Sequence, residues 1–376
     1  MSPHCDSASP FSGGYATTTP FRGFDRPSNL RIAHEAESGS DTPLSSDCES
    51  LSLDSRPSSA RLLIPGVYVP TMCFFKLESE EIDTDTITQH AVRLARAGVT
   101  GLATQGSNGE AVHLTHAERQ LVTATTRRAL DGNGFAHMPL IVGCGSQSTR
   151  ETIEFCTEAY ESGGDYALVL PPSYYATLFS PGLRTIVDFF EKVADSSPIP
   201  IIIYNFPGAA GGLDLTSDVI VELAKHPNIA GVKLTCGNTG KLNRVAAATR
   251  RLSKTYDPSH PDFLVLAGSA DFLVQSMSGG GHGILAGLAN IAPKACVRAF
   301  ECYQSGNLSE AQNMQEVLSD GDWTAIQGGV LGVKAGLQGW MGYGGYARSP
   351  LPKPTADQAQ KWKDGFRGLM SLEKSL

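Results

Sequence analysis

From about residue 64 onward the chain alternates between short apolar runs and segments of helical periodicity, and few folds accommodate that pattern. The apolar runs fall at residues 67–75, 101–105, 140–143, 166–170, 199–204, 229–234, 263–267 and 283–287. Between them, residues 86–97 place Ile87, Ala91, Leu94 and Ala95 at helical spacing. Residues 115–130 open on Thr115 with Glu118 three positions on, the pattern of a capping box. Several runs are continuously apolar rather than alternating, as strands of a parallel sheet are when both faces are covered. Eight such units over about 230 residues predict an α/β fold, a (β/α)8 TIM barrel. A doubly wound sheet would need fewer strands and a switch point, and no glycine fingerprint follows the first run. Helical stretches at 293–304, 308–318, 326–340 and 356–372 exceed the single helix that closes a barrel, so a small helical C-terminal region is expected. The chain thus divides into a tail at 1–60, a barrel at 61–295 and a helical region at 296–376.

The first 60 residues are rich in Ser, Pro, Thr, Gly and Asp and have no apolar period. Such a composition does not bury enough surface to offset the entropy of ordering, and a disordered tail is expected. Acids outnumber bases there, whereas a mitochondrial leader is Arg-rich and poor in acids, so a cytoplasmic location is expected over a mitochondrial one. The net charge of −8 implies no broad basic surface and argues against a nucleic-acid partner. No apolar run of about 18 residues exists, so no membrane span is expected. The eight cysteines form no CxxC pair and no zinc-like spacing, and read as small buried hydrophobes in a reducing compartment.

In a TIM barrel the chemistry sits at the C-terminal ends of the strands. The second run ends in Gly106-Ser107-Asn108-Gly109-Glu110, either an ordinary Asn-Gly turn or a nest of donors for a carboxylate. The fourth ends in Pro171-Pro172-Ser173-Tyr174-Tyr175, which is rim packing or part of a site. The fifth ends in Tyr204-Asn205-Phe206-Pro207-Gly208, where a phenol could relay protons. The sixth, Ile229-Ala230-Gly231-Val232-Lys233-Leu234-Thr235, carries one lysine in an apolar strand. A buried ammonium is costly unless paired, and desolvation favours the neutral amine, a nucleophile toward carbonyls. Snorkelling or a salt bridge is the alternative for Lys233. What favours chemistry is convergence: Lys233, Tyr204, Ser107 and Tyr175 all fall at C-terminal strand ends. His282 precedes the eighth strand, at the opposite end of the barrel, and reads as a turn or core residue.

These residues carry a resemblance. In order along residues 64–345, the motifs Gly106–Glu110, Tyr174-Tyr175, Tyr204-Asn205-Phe206-Pro207, Gly231-Val232-Lys233 and Gly280–Leu285 are similar to those of the dihydrodipicolinate synthase / N-acetylneuraminate lyase (DapA) family of class I aldolases. Within it the chain looks most like the eukaryotic 4-hydroxy-2-oxoglutarate aldolases and the fungal 3-deoxy-hexulosonate aldolases. The resemblance implies a lyase in which Lys233 forms a Schiff base with a 2-oxo acid such as pyruvate and Tyr204 moves the proton. It implies that Ser107, Asn108 and Thr235 bind substrate, with Leu285 lining the pocket through its backbone, and that Tyr175 is lent to a neighbouring subunit. It also implies a homo-oligomer, a tetramer or a dimer, and no metal or organic cofactor beyond the lysine imine. Synthases carry an Arg five residues after the motif tyrosine; here that position is Ala209, which removes a bidentate carboxylate clamp. The expected reaction is cleavage of a 4-hydroxy-2-oxo acid to pyruvate and an aldehyde. Condensation of pyruvate with aspartate semialdehyde and a non-catalytic oxo-acid-binding role are the alternatives.

Overall fold

The computed structural model describes residues 61–179, 184–253, 257 and 262–376. The 1–60 tail, with Cys5 and Cys48, lies outside the described residues. Eight strands, β1 (Gly66–Pro70), β2 (Gly101–Thr104), β3 (Leu140–Gly143), β4 (Tyr166–Val169), β5 (Ile201–Asn205), β6 (Ile229–Leu234), β7 (Leu264–Ala267) and β8 (Gly283–Leu285), follow one another around a closed barrel. Every pairing is parallel, and β8 returns to β1 through Gly66 with Gly283 and Tyr68 with Leu285. The intervening helices are α1 (Thr84–Arg96), α2 (His116–Gly132), α3 (Thr149–Glu161), α4 (Arg184–Ser196), α5 (Ser217–Leu223), α6 (Thr239–Leu252), α7 (Leu273–Ser278) and α8 (Pro293–Gln304).

The continuous apolar runs have the expected cause. Tyr68, Ala103, Ile141, Leu168, Ile202, Tyr204, Leu264, Leu266 and Leu285 fill the barrel interior. Their strand neighbours Val67, Val69, Leu102, Val142, Ile203, Val232 and Val265 pack outward beneath the helices. Both faces are therefore buried. The first strand is shorter than the apolar run at 67–75. The Asn290 side chain takes the Pro70 carbonyl and the Met72 N–H, and the chain leaves the sheet there. Phe74 and Phe75 continue as core rather than strand. The α2 capping box is present: Thr115 N–H donates to Glu118 Oε2 at 2.9 Å while Thr115 Oγ1 accepts from Glu118 N–H. Cys73, Cys144, Cys156, Cys296 and Cys302 are free and buried, and Cys236 is half-buried.

The C-terminal region departs from expectation in one respect. The stretches at 308–318 and 326–340 are a single run, α9 (Leu308–Met341), interrupted only at Gly329, whose φ of 53° and ψ of −145° suit glycine. The polar residues between them suggest a loop by composition. They stay helical because they face partners: Ser319 Oγ donates to the Asp271 carbonyl at 3.0 Å and Asp322 accepts the Asp271 N–H at 2.9 Å. The last stretch divides at the buried Phe366 into α10 (Ala356–Gly365) and α11 (Arg367–Ser375). No described helix is long and apolar enough to cross a membrane.

Two histidines, His90 buried and His282 half-buried, tie loops to this frame. His282 Nδ1 accepts the Val265 N–H at 2.9 Å, and its carbonyl accepts the Gly66 N–H, so it serves the N-terminal end of β8 as a structural residue. His90 Nε2 bonds Asn290 Oδ1 and its Nδ1 bonds the Tyr343 hydroxyl, both at 2.9 Å. Burial lowers the pKa of His282 to about 4. Burial, with Arg93 alongside, lowers that of His90 to about 3. Below the ordinary histidine value near 6.5 the unfolded chain binds more protons than the folded one. Their contribution is therefore complete above about pH 6.5 and is lost as the pH falls toward 4 and then 3. Stability, measured as the urea midpoint between pH 7.5 and 5, should decline by up to about 1.4 kcal/mol per pH unit for each histidine. His282→Asn should flatten that decline; an unchanged slope would contradict the assignment.

Candidate active site

Strand β6 decides where its lysine points. Pairing with β5 runs Ile201 to Ile229 and then Ile202 to Gly231, so one residue of β6, Ala230, is extra. Such a bulge resets the alternation of faces. Ile229, Val232 and Leu234 pack outward. Lys233 consequently faces the interior, 4% exposed, with its Nζ 4.1 Å from the centroid of the Tyr204 ring. Simple alternation from Ile229 would have turned it out under the helices. Gly231 is required beside the bulge because a β-carbon there would stand 2.6 Å from the Leu264 carbonyl oxygen. Among the described residues no carboxylate lies within salt-bridge distance of Lys233. Tyr204 is its register partner on β5 and stacks on Phe206 at 5.7 Å between centroids.

Above this pair lies an open cleft of about 630 Å³. Phe206 and Thr235 line it, two residues beyond Tyr204 and Lys233 on the same strand faces. Ser107, Asn108 and Gly287 form one wall, and Ser269, Asp271 and Asp322 another. Thr235 Oγ1 is buried without a hydrogen-bond partner, so it has donor and acceptor capacity free for a ligand. Asn108 packs against strand eight's end: its Nδ2 is 2.5 Å from where a β-carbon of Gly287 would stand. The cleft thus gathers Ser107, Asn108 and Thr235 at the C-terminal mouth, while Lys233 and Tyr204, paired with each other two residues earlier on their strands, are not among its lining residues. Leu285 is wholly buried in the barrel interior, and Gly287 rather than Leu285 reaches the cleft. Tyr175 is not brought in. It is 62% exposed, edge-to-face with Tyr174, and lines a separate cleft of about 290 Å³ with Gln147 and Lys192. Ala209 is exposed on the rim and does not line the main cleft.

The loop carrying Ser107 and Asn108 is held at both ends. Gln105 and Glu110 adopt left-handed φ values of 56° and 52°. Such conformations cost roughly 1–2 kcal/mol in non-glycine residues and persist only where side chains enforce them. Gln105 Nε2 donates to the Arg119 carbonyl and, at 2.6 Å, to Thr123 Oγ1. Glu110 Oε1 meets Lys334 Nζ at 2.6 Å, each side chain 1% exposed. Glu110 Oε2 accepts the Arg348 N–H at 2.9 Å, and Lys334 also donates to the Tyr346 carbonyl at 2.8 Å. Burial lowers the Lys334 pKa against the opposing pull of Glu110. Arg348 in turn bridges Glu118 at 2.6 Å, which with the capping bonds brings that carboxyl down to about 2.

Sequence reasoning did not find Asp322, Ser269 or the α9 residues Ala325, Ile326, Val330 and Val333 that roof the cleft. Ser269 and Asp271 had a signal, because they directly follow β7. Asp322 had none, standing some fifty positions from the strand end it caps. It is 4% exposed, and burial raises its pKa while the bonds from Ser269 Oγ and Asp271 N–H pull it down. Among the described residues no group of three or more His, Cys, Asp or Glu side chains could hold a metal ion.

Lys334→Ala should remove the buried ammonium from the Glu110 carboxylate, and losing one partner of a buried pair costs about 3–5 kcal/mol. The urea midpoint should fall accordingly, and Glu110→Gln/Lys334→Met should recover part of the loss. Equal midpoints for the single and double variants would refute the coupling.

Comparison with known proteins agrees with this geometry. The sequence profile of the dihydrodipicolinate synthetase family matches residues 66–366. A protein of Emericella nidulans named as a probable mitochondrial 4-hydroxy-2-oxoglutarate aldolase is 51% identical over 316 residues, covering 84% of this chain and 98% of the relative. An L-threo-3-deoxy-hexylosonate aldolase of Aspergillus niger is 46% identical over 328 residues, covering 84% and 97%. A crystal structure of a dihydrodipicolinate synthase family protein from Coccidioides immitis superposes with a TM-score of 0.72 at 30% identity, covering 84% of this chain and 99% of that one. The E. coli K12 prophage protein YagE, crystallised with pyruvate, gives 0.72 at 25% identity over 82% and 98%. The chain therefore belongs to the dihydrodipicolinate synthetase family and is one of its carbon–carbon lyases.

Proposed function

We propose that the protein is a class I, Schiff-base aldolase that cleaves a 4-hydroxy-2-oxo acid to pyruvate and an aldehyde. The observation that carries this reading is Lys233: an interior amine without a carboxylate partner among the described residues, set against the Tyr204 ring beneath an open cleft. The neutral amine attacks C2 of the oxo acid, and loss of water leaves an iminium. Tyr204 takes the proton of the C4 hydroxyl. The C3–C4 bond then breaks, its electron pair passing to the iminium nitrogen as an enamine while C4 leaves as the aldehyde. Protonation at C3 and addition of water release pyruvate and the free lysine. The imine is the only electron sink the cycle needs, so the reading requires no metal or organic cofactor. Ser107 and Asn108 hold the C1 carboxylate from the strand-two loop, Thr235 Oγ1 offers a further bond, and Leu285 supports the β8 wall of the site from the interior.

The names of the two aldolase relatives support a substrate among 4-hydroxy-2-oxoglutarate and the 3-deoxy sugar acids. Condensation with aspartate semialdehyde is disfavoured by Ala209, which offers no cation to a second carboxylate. Tyr175, far more exposed than the buried site residues, fits a residue completed by another copy, and we infer a homo-oligomer, a dimer or tetramer. The working part of the chain is then the barrel at 61–295 with the helical region at 296–376 as its roof. The acid-rich composition of residues 1–60 supports a cytoplasmic location.

Borohydride reduction in the presence of pyruvate should fix a three-carbon adduct on Lys233, visible by peptide mass. Lys233→Ala should abolish both adduct and pyruvate release; survival of either sinks the proposal. Tyr204→Phe should lower kcat by about 10²–10⁴. Tyr175→Asp should shift the sedimentation coefficient toward that of a single chain; an unchanged value would count against the shared-tyrosine assembly.

A further inference from the structure

We propose that Lys241 is a positioning residue: through Asp214 and Asn205 it fixes the turn that carries Thr235 into the cleft, and so sets how tightly an oxo acid is held for Lys233. This rests on the Schiff-base reading of Lys233 and adds to it a residue outside the cleft. Lys241 is a cation in a costly place. It is 4% exposed and stands in the first turn of α6, where Asn238 Oδ1 accepts its N–H at 2.8 Å. Burial penalises an ammonium, and the positive end of the helix dipole opposes it as well. Among the described residues the only carboxylate within salt-bridge distance is Asp214, whose Oδ1 accepts from Lys241 Nζ. An apolar side chain of similar volume would avoid both costs, and a buried pair adds little net stability over such a replacement. What the pair does supply is a fixed position for each partner.

The pair closes a ring of bonds around the Thr235 turn. Asn205 directly follows Tyr204 at the end of β5 and is wholly buried. Its Nδ2 donates to the same Asp214 Oδ1 at 2.8 Å, and its Oδ1 accepts the Leu215 N–H at 2.9 Å. Its carbonyl accepts the Thr235 N–H at 3.0 Å. The turn from Thr235 to Asn238 therefore hangs from Asn205 at its start and, through Lys241 and Asp214, from Asn205 again at its end. Thr235, Cys236 and Gly237 of this turn line the cleft, as does Phe206 on the other side of Asn205. Thr235 Oγ1 is the buried hydroxyl left without a protein partner, and it stands 1.9 Å from where a β-carbon of Gly268 would lie. A contact packed this closely has no slack, and a misplacement of about 1 Å at a site can cost up to about 10²-fold. Lys241 touches no cleft surface itself and acts only by holding the turn.

The test follows the borohydride-trapped adduct on Lys233 as a function of pyruvate concentration in the full chain. Lys241→Met should raise the half-saturating pyruvate concentration by about tenfold while leaving the maximal extent of labelling unchanged, because the amine and Tyr204 keep their register. Asp214→Asn should move it in the same direction. Thr235→Val should also raise it by about tenfold, and adding Lys241→Met to Thr235→Val should raise it no further, since both changes act on one contact. A role confined to stability predicts otherwise: a lower urea midpoint with half-saturation unchanged, or a full second increment in the double variant. Either of those results, with the wild-type adduct intact, overturns this inference alone. Should Lys241→Met fail to fold, Asp214→Asn alone and combined with Thr235→Val makes the same comparison. Absence of a pyruvate adduct in the wild type overturns the aldolase reading beneath it.

Discussion

The orientation of Lys233 depends on a single extra residue. Strands of a barrel alternate between interior and helix-facing sides, and shifting the register by one exchanges every side chain. In β6 the bulge at Ala230 moves Val232 and Leu234 to the outer layer and Lys233 to the interior. The bulge is kept by close packing: Gly231 lies against the Leu264 carbonyl, where no side chain fits. Interior placement then gives the amine an aromatic face as neighbour in place of a carboxylate. The chemistry proposed for the cleft is thus a consequence of strand register.

The C-terminal helices complete the site in two ways. They roof the cleft with α9, and they reach back to the loop that carries Ser107 and Asn108. The reach is made by charge: Lys334 and Glu110 are both buried, each also bonds the backbone of the segment after α9, and Glu110 Oε2 meets His113 Nδ1 at 3.1 Å besides. A buried pair adds little net stability over an apolar one, but it punishes any misplacement of either partner. That property suits a loop whose two ends sit in left-handed conformations. Arg348 extends the tie to the first turn of α2 through Glu118, so one segment fixes the loop and the helix that follows it.

Much of this was legible in advance, and the failures have identifiable causes. The eight strands, the capping box of α2 and the placement of His282 follow from local chemistry: apolar runs, an N-cap with its glutamate, and position relative to a strand. Strand one was read too long because Phe74 and Phe75 are as apolar as a strand, while the side chain that pulls the backbone away, Asn290, is distant in sequence. The helical stretches expected at 308–318 and 326–340 join into one because the polar residues between them, Ser319 and Asp322, find partners far along the chain, the Ser269 hydroxyl and the backbone of Asp271. Tyr175, expected both at a strand end with Lys233 and as a residue lent to a neighbouring subunit, lies within one chain in a different cleft from Ser107 and Thr235.

By itself the sequence determined the barrel, the strands that carry Lys233 and Tyr204, and the family to which they point, because periodicity and motif order are properties of neighbouring residues. Only the tertiary structure decided which way Lys233 faces, what holds the Ser107 loop and what walls the far half of the cleft. Each of those depends on a contact between residues far apart in the chain: a one-residue register shift between strands, a buried ion pair spanning Glu110 and Lys334, and an aspartate of α9 that orients a serine after β7. Such contacts leave no local trace, since the cost of burying each group is offset by a partner that the chain brings close only on folding.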